Sequence, residues 1–304
     1  MNPIVEAKSV SKTFAGHLAL DEVSLSVQQG TIYGIVGANG AGKTTLLRIF
    51  LGLLRPDAGT VYLFGEPMAK EAAELRQRIH YVGPDGRFFK NFTVNDLLRY
   101  TSLLYQRWDA GRAKTLIDVL QLPVHRKVGE LSTGMLMQLR VCIALSSRPD
   151  VLLLDEPTTG LDPVVKKQFL QLIVQEAAGA GTTVLMSTHQ LNEVARMVDH
   201  VAFMYKGRLL LSGALEDLRQ AIKQIQVVMP NDLPEWVREN PAVVEITSSG
   251  HLFTLVVEND ADAIMDRLRN DGAVYLESVH VDFEELFEHV MRKEGYVRDG
   301  ILLS

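Results

Sequence analysis

Gly37-Ala38-Asn39-Gly40-Ala41-Gly42-Lys43-Thr44 fits the pattern G-x-x-x-x-G-K-[ST]. An apolar run, Ile32-Tyr33-Gly34-Ile35-Val36, leads into it, and Thr45-Leu46-Leu47-Arg48-Ile49-Phe50 follows with helical periodicity. Strand, glycine loop and helix is the context in which this pattern cradles phosphate. Glycines let successive backbone N–H groups turn inward as an anion-binding nest. The helix N-terminus adds its dipole, Lys43 a point charge, and Thr44 a hydroxyl for Mg²⁺. A glycine turn with a chance lysine would not need those flanks. The stretch therefore predicts binding of a nucleoside triphosphate by residues 37–44 and Thr45, on an α/β core.

The rest of the composition narrows the setting. At 304 residues the chain holds one large domain or two modest ones. Hydrophobic residues make up 47% and charged ones 22%, enough apolar side chains for a core and too many for global disorder. The formal net charge of −6 supplies no basic field for a phosphate backbone, which argues against nucleic acid. Cys142 is the only cysteine, so an intrachain disulfide is impossible and a reducing compartment fits. Its neighbours, Val141 and Ile143-Ala144-Leu145, make it a small buried hydrophobe rather than a reactive thiol. Met1 to Glu6 lacks the basic and apolar regions of a signal peptide, and no apolar stretch is long enough to cross a bilayer. The expectation is a chain soluble by itself, which depends on another polypeptide if it serves a membrane process.

Ahead of the glycine loop, short alternating runs at 4–10, 18–20 and 23–27 read as antiparallel strands on an added β edge. Residues from about Thr93 to Arg148 read as helical, with capping-box spacing at Thr93 and Asp96 and Asp109 capping a segment through Leu120. Buried strands return at 151–154, 183–186 and 201–205. Asp162 and Pro163 open a helix between the first two, with Val165, Phe169, Leu172 and Ile173 on one face. The pattern predicts a parallel sheet interrupted by a helical insertion. Beyond about Leu218, strands at 225–228, 243–246 and 252–257, a helix at 260–269 and a strand at 274–281 predict a small α+β domain. Its last helix carries Phe283, Leu286, Phe287, Val290 and Met291 on one stripe. The expected division is 1–217, with the insertion at about 93–148, and 218–304.

Val151-Leu152-Leu153-Leu154-Asp155-Glu156 reads as a buried strand delivering two acids to the sheet edge where the glycine loop lies. There Asp155 would hold Mg²⁺ and Glu156 would act as general base toward water. An acidic turn after a strand is common by itself; the pairing with the glycine loop makes it informative. Leu131-Ser132-Thr133-Gly134-Met135 precedes a helical run and alone reads as an ordinary helix cap. His189 closes the strand 183–188, where a histidine is ordinarily structural or solvated. Phe14 follows a strand and offers a ring face to adenine or to core packing.

In order, Phe14, the loop 37–44, Leu131 to Met135, Leu154-Asp155-Glu156-Pro157, Gly160-Leu161-Asp162 and His189 resemble the full motif set of ABC transporter ATPases. They are similar to its aromatic loop, Walker A, signature, Walker B, D-loop and switch histidine, over about residues 1–217. The resemblance implies ATP held with Mg²⁺ between two such domains, head to tail. Ser132 and Gly134 would then serve the partner's nucleotide, and His189 would face the γ-phosphate.

Two departures stand out. The usual signature is L-S-G-G-Q, whereas Thr133 and Met135 stand here. Such variants resemble the branch serving ABC-2-type exporters of drugs, antibiotics, lipids or polysaccharides. No glutamine follows Ile79-His80-Tyr81-Val82, where the family usually has one, and Asp85 is the candidate for its role near the metal. The resemblance implies an ATP-hydrolysing subunit at the cytoplasmic side of a membrane, paired as a homodimer or heterodimer and serving a separate transmembrane permease. Phe88, Phe89 and Phe92 would lie on the surface that receives the permease, or simply pack the insertion. Ribosome-bound relatives carry two such domains in one chain and DNA-organising ones carry long heptad repeats; this chain has neither. Glu156 and His189 together argue against a module that only holds ATP. A GTPase would need an N-K-x-D motif, which is absent.

Overall fold

The computed structural model describes residues 3–68, 73–84, 88–191 and 195–293. The chain divides into two compact units, Met1–Ser212 and Gly213–Ser304, so the division falls before the expected 217/218.

In the first unit, β1 (Val5–Phe14) and β2 (His17–Val27) pair antiparallel, Val5 opposite Val27 and Phe14 opposite His17. The two short runs expected at 18–20 and 23–27 are one strand. Glu22 turns through a positive φ of 49° and bends it without ending it. β3 (Ile32–Val36) and α1 (Lys43–Phe50) follow. β4 (Ala58–Leu63) and β5 (Glu66–Pro67) complete a four-stranded sheet in the order β2-β1-β4-β5. Along β1 and β2, Val5, Ala7, Val10, Leu20, Val23, Leu25 and Val27 are buried with Leu46, Leu47, Ile49 and Phe50 of α1. The added β edge is therefore held by apolar packing beneath the glycine loop's helix.

α2 (Ala73–Gln77) leads into β6 (Ile79–Val82). The helical insertion then supplies α3 (Val94–Ser102), α4 (Ala110–Val119) and α5 (Thr133–Ser146). Thr93 and Asp96 form the expected capping box on α3, and Asp109 accepts from the Arg112 N–H to cap α4. β7 (Val151–Asp155), α6 (Pro163–Ala180), β8 (Thr183–Thr188), β9 (His200–Tyr205) and β10 (Arg208–Ala214) complete a second sheet, ordered β10-β9-β3-β8-β7-β6. Its β3, β7 and β8 are buried at every residue, the mark of strands covered on both faces. All the pairings among β3, β6, β7, β8 and β9 are parallel. Cys142 lies buried in α5, where burial pushes its thiol up to about 11, as an inert core residue requires.

The second unit adds α7 (Leu215–Ala221), β11 (Ile222–Val228), α8 (Glu235–Glu239), β12 (Val243–Ser249), β13 (Leu252–Glu258), α9 (Ala261–Asn270), β14 (Tyr275–His280) and α10 (Phe283–Lys293). The four strands form an antiparallel sheet in the order β12-β13-β11-β14. Ile225, Val227, Phe253, Leu255 and Val257 pack with Ile264 and Leu268 of α9. On α10, Phe283, Leu286, Phe287, Val290 and Met291 are all buried within the single chain, so their stripe is not left for a second copy.

His80 on β6 is buried, stacks on Tyr105 at 5.1 Å and lies 3.0 Å from the Ser147 hydroxyl through Nδ1. Burial disfavours the charged ring and lowers its pKa from 6.5 to about 4. The unfolded chain thus binds a proton that the folded chain resists, so stability is full above pH 6.5 and falls as pH drops toward 4. The urea midpoint of the wild type should decline through that window, and His80→Asn should flatten the decline. Parallel pH curves for the two proteins would show that His80 contributes nothing to it.

Candidate active site

Parallel register gathers the site. Ile35 lies opposite Ser187 and Val36 opposite Thr188, while Leu154 pairs with Met186 and Asp155 with Ser187. The C-terminal ends of β3, β8 and β7 are therefore level, and the residues just beyond each strand meet at one edge. Those residues are the loop 37–42, His189 and Glu156.

The loop closes where side chains would not fit. A Cβ on Gly37 would stand 2.3 Å from the Met204 carbonyl oxygen. Gly42 has φ 103°, and a Cβ there would stand 2.6 Å from the Ala19 oxygen. Ala38, Asn39 and Gly40 are exposed, Ala41 is buried, and Thr44 and Thr45 on the first turn of α1 are half-buried. Lys43 is almost fully buried; its ammonium donates to the Gly37 carbonyl at 2.6 Å and to that of Ala38 at 3.2 Å.

Around Lys43 the charged groups converge. Its Nζ is 3.1 Å from Glu156 Oε1, and Glu156 Oε2 is 2.7 Å from His189 Nδ1. Oε1 is buried yet accepts no hydrogen bond among the described residues. Glu156 leaves β7 through a left-handed turn, φ 48°, with its N–H bonded to Ser187 O and Oγ, both at 3.1 Å. Strain of this kind persists only where surrounding bonds hold it. Asp155 has no exposed surface. Its Oδ1 accepts from Thr44 Oγ1 at 3.0 Å and Ser187 Oγ at 2.6 Å, and its Oδ2 from Tyr81 OH at 2.9 Å.

A buried carboxylate with no ion pair among the described residues suits a cation site. No cluster of three or more acidic, histidine or cysteine residues occurs there among the described residues. The donors that are present, the Asp155 carboxylate and the Thr44 hydroxyl, are oxygens of the kind Mg²⁺ takes, with phosphates and water completing its shell.

The other expected residues lie outside this cluster. Ser132 is exposed and caps α5 by accepting from the Met135 N–H at 3.2 Å, with Gly134 half-buried on the first turn. Asp162 caps α6, accepting from Val164 and Val165 N–H. Phe14 ends β1 with 42% of its surface exposed and the Lys12 ammonium 5.5 Å from its ring centre. Asp85 lies outside the described residues. Phe89 stacks on Phe92 at 4.9 Å, and Tyr100 meets both edge-on. Phe88, Phe89, Tyr100 and Leu104 line a pocket of about 260 Å³ that reaches Tyr81 and Gly83.

Tyr81 and Ser187 are the two hydroxyl partners of Asp155 that sequence reasoning missed. Ser187 carried a weak signal, a polar residue following the apolar run Val184-Leu185-Met186. Tyr81 carried none, because an aromatic within a strand ordinarily reads as core.

Residues 20–159 match the ABC transporter family. The chain is 30% identical over 284 residues to the ABC transporter ATP-binding protein YtrB of Bacillus subtilis (strain 168), covering 93% of this chain and 97% of that one. It is 36% identical over 306 residues to the Nod factor export ATP-binding protein I of Burkholderia pseudomallei (strain 1710b), covering 95% and 97%. Among solved structures it is similar to the dimeric structure of MJ0796, a bacterial ABC transporter cassette, with a TM-score of 0.63 and 25% identity over 69% of this chain and 98% of that one. The fold is that of a P-loop ATPase of ABC type. The chain belongs to the ATP-binding proteins of ABC transporters.

Gly42→Ala tests the loop. Its positive φ alone costs of order 1–3 kcal/mol for a residue with a side chain, and the Ala19 carbonyl is backbone that cannot swing aside. The denaturant midpoint should fall by at least that equivalent and nucleotide affinity with it. A substitution at Gly30, also at positive φ but with open space around it, should spare nucleotide affinity.

Proposed function

We propose that this chain binds ATP with Mg²⁺, hydrolyses it, and thereby energises export through a separate ABC-2-type transmembrane permease. The observation that carries the reading is the convergence of Lys43, Thr44, Asp155, Glu156 and His189 at one sheet edge. The loop amides of residues 37–42 and Lys43 would hold the phosphates. Thr44 and Asp155 would hold Mg²⁺, which when bound neutralises phosphate charge. Glu156 would take the proton of the attacking water, and an Oε1 that pairs with Lys43 yet accepts no hydrogen bond among the described residues supports that role. His189, 2.7 Å from the same carboxylate, would hold Glu156 in place and reach toward the γ-phosphate. Phe14, half-exposed at its strand end, would stack on adenine.

Ser132 and Gly134 stand apart from that cluster at the exposed start of α5, which supports their serving the nucleotide of a second copy or a paired ATPase subunit. The dimeric cassette to which this chain is similar supports the pairing of two such subunits. In this reading a separate permease carries the cargo, with this chain at its cytoplasmic side; no helix among the described residues is long and apolar enough to cross a membrane. The aromatic pocket of Phe88, Phe89 and Tyr100, with Phe89 53% exposed, supplies a docking surface for it. The relative named for Nod factor export supports the outward direction. The formal net charge of −6 supports a partner other than nucleic acid.

Two measurements test this. Glu156→Gln should bind ATP but lose turnover by ~10²–10⁴, and should accumulate ATP-dependent dimers; wild-type turnover in that variant would remove Glu156 as base. Mixing Ser132→Arg with Lys43→Ala protein should restore turnover above either alone, since one composite site of the heterodimer is intact. Heterodimers that form without turnover would refute the head-to-tail site.

A further inference from the structure

We propose that Tyr81 is a positioning residue for the metal-holding carboxylate, with Gly83 the residue that lets it reach. The inference deepens the reading above and rests on it, because it concerns how Asp155 is presented to Mg²⁺.

Of the three hydroxyls on Asp155, two share Oδ1 and Tyr81 alone holds Oδ2 among the described residues. Without it that buried oxygen would have no donor there, and the carboxylate would be held at Oδ1 alone. Tyr81 is itself anchored: Arg48, one turn beyond Thr44 on α1, hydrogen-bonds its side chain. The line Arg48, Tyr81, Asp155 thus ties the helix of the glycine loop to β6 and β7.

Gly83 completes the device. The chain after β6 folds against the Tyr81 ring so closely that a Cβ at residue 83 would stand 2.2 Å from the phenolic oxygen and 2.3 Å from Cζ. Nothing in φ demands glycine at 83; the ring does. An alanine there is accommodated only if the ring swings away, and the ring's displacement takes the hydroxyl off Asp155. The expected metal-site contact from Asp85 is not needed for this link.

The test uses full-length protein and two readouts: affinity for mant-ADP with EDTA or Mg²⁺, and Mn²⁺ binding by electron paramagnetic resonance at saturating ADP. Tyr81→Phe keeps the ring and its pocket wall and removes only the hydroxyl. It should leave metal-free nucleotide affinity unchanged and weaken Mn²⁺ binding about tenfold, the scale of one hydrogen bond to a charged group. Gly83→Ala should give the same split, and the double variant should be no worse than either alone. Unchanged metal binding in both variants would overturn the proposal. Equal loss of metal-free and metal-dependent affinity, with a lowered unfolding midpoint, would also overturn it, by reducing Tyr81 to a packing residue. Wild-type protein that bound no nucleotide would instead refute the functional reading on which the proposal rests.

Discussion

Asp155 is completely buried and forms no ion pair among the described residues, so hydroxyl dipoles alone answer its charge. Burying a carboxylate costs several kcal/mol even after relaxation. Three hydrogen bonds to a charged group, at about 1.5–3 kcal/mol each, are of the size needed to offset it. Those donors come from α1, β6 and β8, three elements far apart in sequence. Each can reach only if the parallel register holds and if β6 lies beside β7. The carboxylate therefore makes the fold answerable to the site: a slipped strand would leave a buried charge without partners, a larger loss than any apolar contact there would recover.

This dependence separates what was legible in the sequence from what was not. The glycine loop between strand and helix, the two acids at the end of β7 and the caps at Thr93, Asp109 and Asp162 were legible, because each is a local pattern whose physical reason lies within a few residues; His189 by itself read as an ordinary strand-end histidine. The partners of Asp155 were not legible, because Tyr81 and Ser187 become neighbours only through register. Gly83 shows in the sequence only as part of a run lacking the usual glutamine; its reason is a ring two residues earlier that folds back on it. The split of 18–27 into two strands failed for a related cause. A polar Asp21-Glu22 pair looks like a turn in isolation, but pairing with β1 carries the strand through it. In the second unit the α10 stripe was legible as a buried face, since its period needs no knowledge of register.

The exposure pattern has its own logic. The loop residues Ala38, Asn39 and Gly40 are open, while the groups beneath them, Lys43 and Asp155, are sealed. Ser132 is equally open at the start of α5, whose later turns are deeply buried. A helix with its N-terminal hydroxyl and amides at the surface, on a rigid buried stem, is well placed to meet an anion brought from outside. Two half-sites of this kind, each exposing what the other lacks, would be completed by a two-fold pairing rather than by movement within one chain.

Asp155 and Glu156 are adjacent, share a chemistry and yet meet opposite environments. Successive side chains of a strand point to opposite sides, which sends Asp155 into the hydroxyl cluster beneath the loop. At the next residue the strand has ended, and the left-handed turn at φ 48° carries Glu156 toward Lys43 and His189. One acid thus has both oxygens occupied by fixed donors. The other keeps Oε1 without a hydrogen bond beside a positive charge, where a proton acceptor is useful. Division of labour between two carboxylates by environment is a recurrent solution to acid–base chemistry near neutral pH. Here it stems from a single change of backbone conformation between neighbouring residues, and the Ser187 bonds to the Glu156 N–H are what hold that change in place.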